Sequence, residues 1–124
     1  MFKLKQTENT LEDILSQIPV LVGVDTDDID EIAKRVKLKK FPKDSYIFKQ
    51  GDIGDSFFVI KSGKVEILKK EGDIEKQVAV LYPDNFFGEM ALITDDARNA
   101  TIKCLEDCEL FVFNKNDFYD FLYL

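Results

Sequence analysis

The chain has 124 residues, of which 45% are apolar and 33% charged, and its formal net charge is −7. This balance predicts one globular domain with a modest core and excludes a disordered chain. The negative charge, with no basic patch to offset it, argues against nucleic acid as a partner. Histidine is absent, which excludes histidine-based catalysis and nearly all zinc and non-haem iron sites.

Two amphipathic helices are predicted in the first third of the chain. The first follows Thr10, a suitable N-cap, carries apolar residues at helical spacing from Leu11 to Ile18, and ends at Pro19. The second covers residues 25–36, where acids lie at the start and bases at the end, as the helix dipole favours. We interpret the basic run at 34–40 as the solvated end of this helix and the start of a strand.

After residue 41 the apolar pattern alternates, and short β-branched or aromatic runs are separated by turn sequences. The pattern predicts an α+β fold whose body is a β-sandwich or barrel. We expect a single domain, 1–124, with a helical lead-in at about 1–40, a β-roll at 41–113 and a C-terminal helix at 114–124. The predicted strands are YIF, SFFVI, KVEIL, QVAVLY, ATIKCL and ELFVF.

The predicted C-terminal helix places Phe118, Phe121 and Leu122 on one face, and the chain is still apolar at Leu124. Such a face must be covered. Either it packs on the β-body, or the natural protein continues and this chain is a piece of it. We favour the second explanation.

The two cysteines, Cys104 and Cys108, do not have C-x-x-C spacing and no other soft ligand accompanies them, so a metal site is not predicted. A disulfide across a tight turn is one possibility. We favour the interpretation that both cysteines are reduced and act as small apolar residues, because no signal peptide indicates an oxidising compartment. No apolar run approaches membrane-spanning length. We therefore expect a cytoplasmic protein without a membrane partner.

The segment FGEMALITDDARNAT, residues 87–101, combines features of an anion site. Gly88 lets the backbone approach a ligand closely, and the first N–H groups of a short helix point outward. Arg98 can bind a phosphate, while Glu89 can accept hydrogen bonds from a neighbouring hydroxyl. A nucleotide or sugar phosphate would satisfy both. Alternatively, Glu89 only interacts favourably with the helix dipole, and Arg98 is solvated. A further alternative is that the two side chains pair with each other.

This segment also resembles the phosphate-binding cassette of the cyclic nucleotide-binding domain family. That family includes regulatory subunits of cyclic-nucleotide-dependent kinases, gated channels and bacterial catabolite activators. The matching residues are Phe87-Gly88-Glu89-Met90-Ala91-Leu92 and Arg98-Asn99-Ala100-Thr101. A second similar stretch, QGDIGDSFFVIKSGKVEI, runs from Gln50 to Ile67. The resemblance covers roughly residues 11–124 and implies a jelly roll with a short cassette helix.

The resemblance implies a role for each matching residue. Glu89 would bind the ribose 2′-hydroxyl and Arg98 the cyclic phosphate. The backbone N–H groups or close packing of Gly88, Met90, Ala91 and Ala100 would complete the site. Gly51, Gly54 and Gly63 would be structural turn residues.

Two departures from the family pattern concern the base. Family members that prefer cAMP often carry Ala at the position of Asn99, and those that prefer cGMP often carry Thr or Ser. Asn99 matches neither preference and could hydrogen-bond to either base or to the phosphate. Family domains also continue into a helix that covers the base, and this chain stops before it.

The predicted function is a non-enzymatic sensing module that binds a cyclic nucleotide, most readily cAMP. Binding would shift the C-terminal helix and act on a downstream domain or partner protein. No metal or other cofactor is predicted. The alternatives are a cGMP-binding domain, a ligand-free interaction domain of the same fold, or a cupin-type enzyme, which the lack of histidine disfavours. A transcription regulator would need a basic helix-turn-helix beyond this chain.

Overall fold

The computed structural model of the chain describes residues 10–118. Helix α1 spans Leu11–Gln17 and helix α2 spans Thr26–Lys34, with a 3₁₀ turn at Pro19–Leu21 between them. Thr10 caps α1 as predicted: its hydroxyl accepts from the Asp13 N–H at 3.1 Å, and the Asp13 carboxylate accepts from the Thr10 N–H at 3.2 Å. Both predicted helices are therefore confirmed.

In the described part of the chain, eight strands form two four-stranded antiparallel sheets that pack as a sandwich. The first sheet has the order β1-β8-β3-β6 and the second β2-β7-β4-β5. Each of the six predicted strand runs coincides with a strand and overruns it by at most one residue at either end, which confirms the predicted α+β class with a mainly β body. The strands are β1 (Lys37–Phe41), β2 (Tyr46–Phe48), β3 (Ser56–Ser62), β4 (Val65–Glu71), β5 (Ile74–Leu81), β6 (Phe86–Phe87), β7 (Thr101–Cys104) and β8 (Cys108–Asn114).

One strand was predicted only at its start, and one was not predicted. Strand β1 begins at Lys37, which confirms the strand start interpreted within the basic run at 34–40, although residues up to about 40 were assigned to the helical lead-in. It lies at a sheet edge, paired with β8 alone, so its lysines stay exposed and no apolar alternation marks it. Strand β6 has only two residues, paired with Phe58 and Val59 of β3, and is too short for any periodic pattern.

The core has two layers because β3 is apolar on both faces. Phe58 and Ile60 face the interior of the sandwich, whereas Phe57 and Val59 face the helices. Cys104 and Cys108 are free and buried in the interior layer, where they pack among apolar residues.

The C-terminal end of the described chain is anchored to the helix-facing layer. A 3₁₀ turn at Lys115–Phe118, the C-terminal turn, follows β8 directly. The buried Phe118 ring meets Phe57 at 5.2 Å and Phe113 at 6.0 Å, and those two rings stack at 4.6 Å. The rest of the predicted C-terminal helix, with Phe121 and Leu122, lies outside the described residues. Within residues 10–118, no helix has the length and hydropathy needed to span a membrane.

Candidate functional site

A cavity of about 420 Å³ opens beside the 3₁₀ helix Glu89–Leu92, the cassette helix. Its volume falls in the range of small-molecule sites, roughly 300–1,000 Å³. The structure brings together every residue predicted for the site, since all of them line this one cavity: Gly88, Glu89, Met90, Ala91, Arg98, Asn99 and Ala100.

The guanidinium of Arg98 is held at the cavity by backbone oxygens and by an aromatic ring. Its Nη1 donates to the Gly88 carbonyl at 3.2 Å, and its Nη2 donates to the Ser56 carbonyl at 2.7 Å. Its Cζ lies 4.0 Å from the centre of the Phe48 ring. The Nε atom is buried without any hydrogen-bond partner. A buried N–H without a partner is costly, so the protein alone does not satisfy every donor of this guanidinium.

Within residues 10–118, no carboxylate forms an ion pair with Arg98, so the alternative in which Glu89 pairs with Arg98 is wrong. Burial lowers the pKa of Arg98, and the more distant charges of Asp55, Asp52 and Glu89 act in the opposite direction. An arginine remains protonated despite such a shift. The cavity therefore contains a partly desolvated cation that is free of a carboxylate partner.

The turn between β2 and β3 fixes the backbone of Arg98. The Arg98 carbonyl accepts from the Gly51 N–H at 2.8 Å, and the Arg98 N–H donates to the Asp52 carbonyl at 2.7 Å. The buried hydroxyl of Thr101 accepts from the Gln50 N–H at 2.8 Å. The two motifs identified in the sequence are thus joined to each other, and the first of them positions the arginine of the second.

Glycines at two positions make room for this arrangement. Gly88 has φ of 80°, a conformation that residues with a Cβ rarely adopt. Gly54 does not have a positive φ, yet a Cβ at that position would overlap the Arg98 guanidinium. The expectation that Gly54 is only a turn residue is therefore incomplete, because it also leaves the space in which the guanidinium lies.

The cassette helix contributes to the site and to the core at once. Ala91 and Leu92 are buried, Glu89 is half-buried and Met90 is exposed. The Ala91 N–H donates to the Gly88 carbonyl at 3.2 Å. Ala91 therefore lines the cavity by close packing, and its N–H is already engaged within the turn.

Apolar side chains from five strands also line the cavity, and together they are called the apolar wall. It consists of side chains from β2, β4, β5, β6 and β7: Phe48, Ile67, Leu81, Phe86 and Ile102. These residues could not be identified from the sequence, because inward-facing strand residues have the same apolar character whether they line a cavity or fill a core. A cavity with one cation at one end and an apolar wall beside it suits a ligand with an anionic group and a flat, weakly polar group.

Comparison with known proteins places the chain in a family. The family model described as "Cyclic nucleotide-binding domain" matches residues 38–123. The cAMP-dependent protein kinase regulatory subunit of Schizosaccharomyces pombe is 32% identical over 107 residues, covering 86% of this chain and 25% of that protein. A cGMP-dependent protein kinase of Drosophila melanogaster, isozyme 2, is 36% identical over 94 residues, covering 74% of this chain and 10% of that protein.

Solved structures agree with this placement. The regulatory domain of Toxoplasma gondii PKA, crystallised with cAMP, is similar with a TM-score of 0.81 and 27% identity. The match covers 90% of this chain and 42% of that one. The chain spans only a quarter and a tenth of the length of the two kinase relatives. The family model matches residues 38–123, a range that includes strands of both sheets and the whole cavity segment. The chain therefore belongs to the cyclic nucleotide-binding domain family.

Proposed function

We propose that the chain is a non-catalytic sensing module that binds a cyclic nucleotide with its phosphate on Arg98. The single observation that carries the proposal is the state of this guanidinium. It is partly buried, it donates to two carbonyl oxygens, its Nε has no partner, and no carboxylate of the described residues 10–118 forms an ion pair with it. A phosphate oxygen is the natural acceptor for such a donor because charge-assisted hydrogen bonds are strong in partly desolvated sites.

Glu89 is proposed to recognise the sugar. Its carboxylate lines the same cavity as Arg98 but does not pair with it. A carboxylate repels a phosphate and accepts hydrogen bonds from hydroxyl groups. A ribose 2′-hydroxyl next to a cyclic phosphate would therefore meet Glu89 while the phosphate meets Arg98, and this fixes the orientation of the ligand.

The apolar wall is proposed to receive the base, with cAMP preferred modestly over cGMP. Asn99 lines the cavity and is exposed. No hydroxyl stands at its position to favour guanine, which supports cAMP. Its side-chain amide nevertheless offers both a donor and an acceptor, so selectivity between the two purines should be weak. Relatives named for cAMP and for cGMP both match this chain.

Ligand binding is proposed to act on the C-terminal end of the domain and on a downstream domain or partner. Leu92 of the cassette helix and Phe118 of the C-terminal turn belong to the same buried cluster. A movement of the cassette helix would therefore change the packing around Phe118, because packed cores do not deform continuously. The extent of the module, 1–124, and its cytoplasmic location remain predictions.

Thermal melting with cAMP, cGMP and 5′-AMP at matched concentrations tests the proposal. At about one hundred times the dissociation constant, a ligand stabilises the folded state by roughly 2.7 kcal/mol. For a domain of this size the melting temperature should rise by about 10 °C. We expect the larger shift with cAMP, a smaller one with cGMP, and none with 5′-AMP, whose open phosphate carries more charge. No shift with either cyclic nucleotide would contradict the proposed function.

A further inference from the structure

Lys115, the first residue of the C-terminal turn, reaches into the loop that follows the cassette helix. Its Nζ donates to the Thr94 carbonyl at 3.2 Å and lies 2.9 Å from the Asp95 Oδ1 atom. The Lys115 side chain is 13% exposed, whereas that of Asp95 is 98% exposed. The bond to Thr94, which itself lines the cavity, is therefore the better shielded of the two contacts.

The main chain of Lys115 binds the opposite side of the site. Its N–H donates to the Asp55 carbonyl at 2.7 Å. Asp55 directly precedes Ser56, whose carbonyl accepts from Arg98 Nη2 at 2.7 Å. One residue thus contacts both the segment that holds the guanidinium and the loop that leads from the cassette helix to Arg98.

The chemistry of these contacts suits a positioning role. An ammonium group has three donors and can hold a carbonyl and a carboxylate at once. Hydrogen bonds from a charged donor are stronger than neutral ones, most of all where water is excluded. The contact with Lys115 also lowers the pKa of Asp95. A methylene stem of the same length without the charge would leave the Thr94 carbonyl without this donor.

We propose that Lys115 is a positioning residue that holds the two sides of the ligand cavity together and couples ligand binding to the C-terminal turn. This inference rests on the proposed function, because it requires a cyclic nucleotide in the cavity. Coupling is reciprocal in free energy: if the ligand orders the loop that Lys115 holds, an intact Lys115 contact must strengthen binding by the same factor.

Calorimetric titration of the 124-residue chain with cAMP tests the positioning role. For Lys115→Met we expect affinity to fall about five- to twentyfold, the cost of one charge-assisted hydrogen bond. Lys115→Arg should restore affinity to within about threefold, and Asp95→Ala should weaken it about two- to threefold, since Asp95 is exposed. The matched control is Lys34→Met, because Lys34 pairs with Glu31 on the surface at 71% side-chain exposure. It should bind as the wild type does.

Hydrogen exchange at the Lys115 amide tests the coupling. In the wild type cAMP should slow this exchange, because the amide donates to Asp55 beside the guanidinium anchor. In Lys115→Met the ligand-dependent slowing should be smaller. A residue that only stabilises the fold would lower the ligand-free melting temperature and leave the slowing unchanged.

The outcomes separate the inference from the proposed function. If the wild type binds neither cyclic nucleotide, both are overturned. If the wild type binds and Lys115→Met shows wild-type affinity, the inference alone is overturned. It is also overturned if Lys115→Arg fails to restore binding while melting normally. If Lys115→Met does not fold, the affinities of Lys115→Arg and Asp95→Ala test the inference instead. Wild-type affinity for Asp95→Ala together with reduced affinity for Lys115→Arg would then contradict the positioning role of Lys115.

Discussion

The guanidinium carbon of Arg98 lies 4.0 Å from the centre of the Phe48 ring. Phe48 in turn contacts Phe58 and Phe87 with ring centres 6.0 Å and 5.9 Å away. The cation is therefore fixed to the interior of the sandwich through an aromatic face. An aromatic ring holds a cation without neutralising it, so the charge stays available to an anion.

Replacing Phe48 by leucine should weaken cAMP binding about three- to fivefold. The substitution keeps most of the apolar contact and removes the cation–π interaction, worth about 0.5–1 kcal/mol at a partly exposed site. Calorimetric titration measures the loss. Phe41→Leu is the control, because Phe41 is also a partly buried ring packed against the interior core but does not line the cavity. Equal losses in both variants would attribute the effect to packing alone.

Glu89→Gln should weaken cAMP binding about three- to tenfold and leave the ligand-free melt near that of the wild type. Glutamine keeps an acceptor but loses the charge, so the hydrogen bond to a ribose hydroxyl becomes weaker. The Glu89 side chain makes no ion pair with Arg98, so its charge is not needed for the fold. Glu71→Gln, on the exposed end of β4, is the control. A large fall in the ligand-free melt of Glu89→Gln would assign Glu89 a structural role instead.

Much of the fold could be predicted because its signals are local. The capping box at Thr10, the polarity of the second helix and the β-branched or aromatic runs of six strands each depend on residues close together in the chain. The predicted site residues also fall in one continuous stretch, 88–100, which the fold keeps together at one cavity.

The rest of the site depends on contacts between distant segments. Ser56 accepts from Arg98 through its backbone carbonyl, 42 positions away in the chain, and no side-chain pattern encodes such a bond. The reason for glycine at position 54 is likewise visible only once the guanidinium of Arg98 lies against it. Only the start of strand β1 was predicted, because an exposed edge strand has no apolar face to mark its length.

Thr101→Val should lower the ligand-free melting temperature by roughly 5–10 °C. The buried hydroxyl of Thr101 accepts from the Gln50 N–H at 2.8 Å, and valine of nearly the same shape leaves that donor unpaired. Such a loss costs about 1–3 kcal/mol. Thr101→Ser keeps the hydroxyl and should melt several degrees above the valine variant. If serine and valine gave the same melting temperature, the hydrogen bond to the β2–β3 turn would not be what Thr101 contributes.

The Cys108 thiol should stay protonated and unreactive in the folded protein. Burial raises the pKa of Cys108 to about 12, from an ordinary value of 9.0. Only the thiolate is a good nucleophile, so alkylation by iodoacetamide at pH 8 should be far slower in the native state than in urea. Mass spectrometry of the two samples measures this difference.

The raised pKa of Cys108 also makes the stability of the fold depend on pH in the alkaline range. Between about 9 and about 12 the unfolded thiol loses its proton while the folded one keeps it. The unfolded state then binds fewer protons, so the free energy of unfolding falls as the pH rises through this range. Denaturant melts of the wild type and Cys108→Ala at pH 8 and pH 10 should show a steeper fall for the wild type. Parallel curves would contradict the assignment.

Calorimetric titration of Arg98→Ala with cAMP tests the central claim most directly, namely that the Arg98 guanidinium holds the phosphate. Loss of a charge-assisted pair costs roughly 1.5–3 kcal/mol, or about one to two decades in affinity. Lys34→Ala, which removes a surface cation that does not line the cavity, is the matched control and should bind as the wild type does. A ligand-free melt of Arg98→Ala near the wild-type value would show that the fold is intact. Equal affinities for wild type and Arg98→Ala would contradict the account.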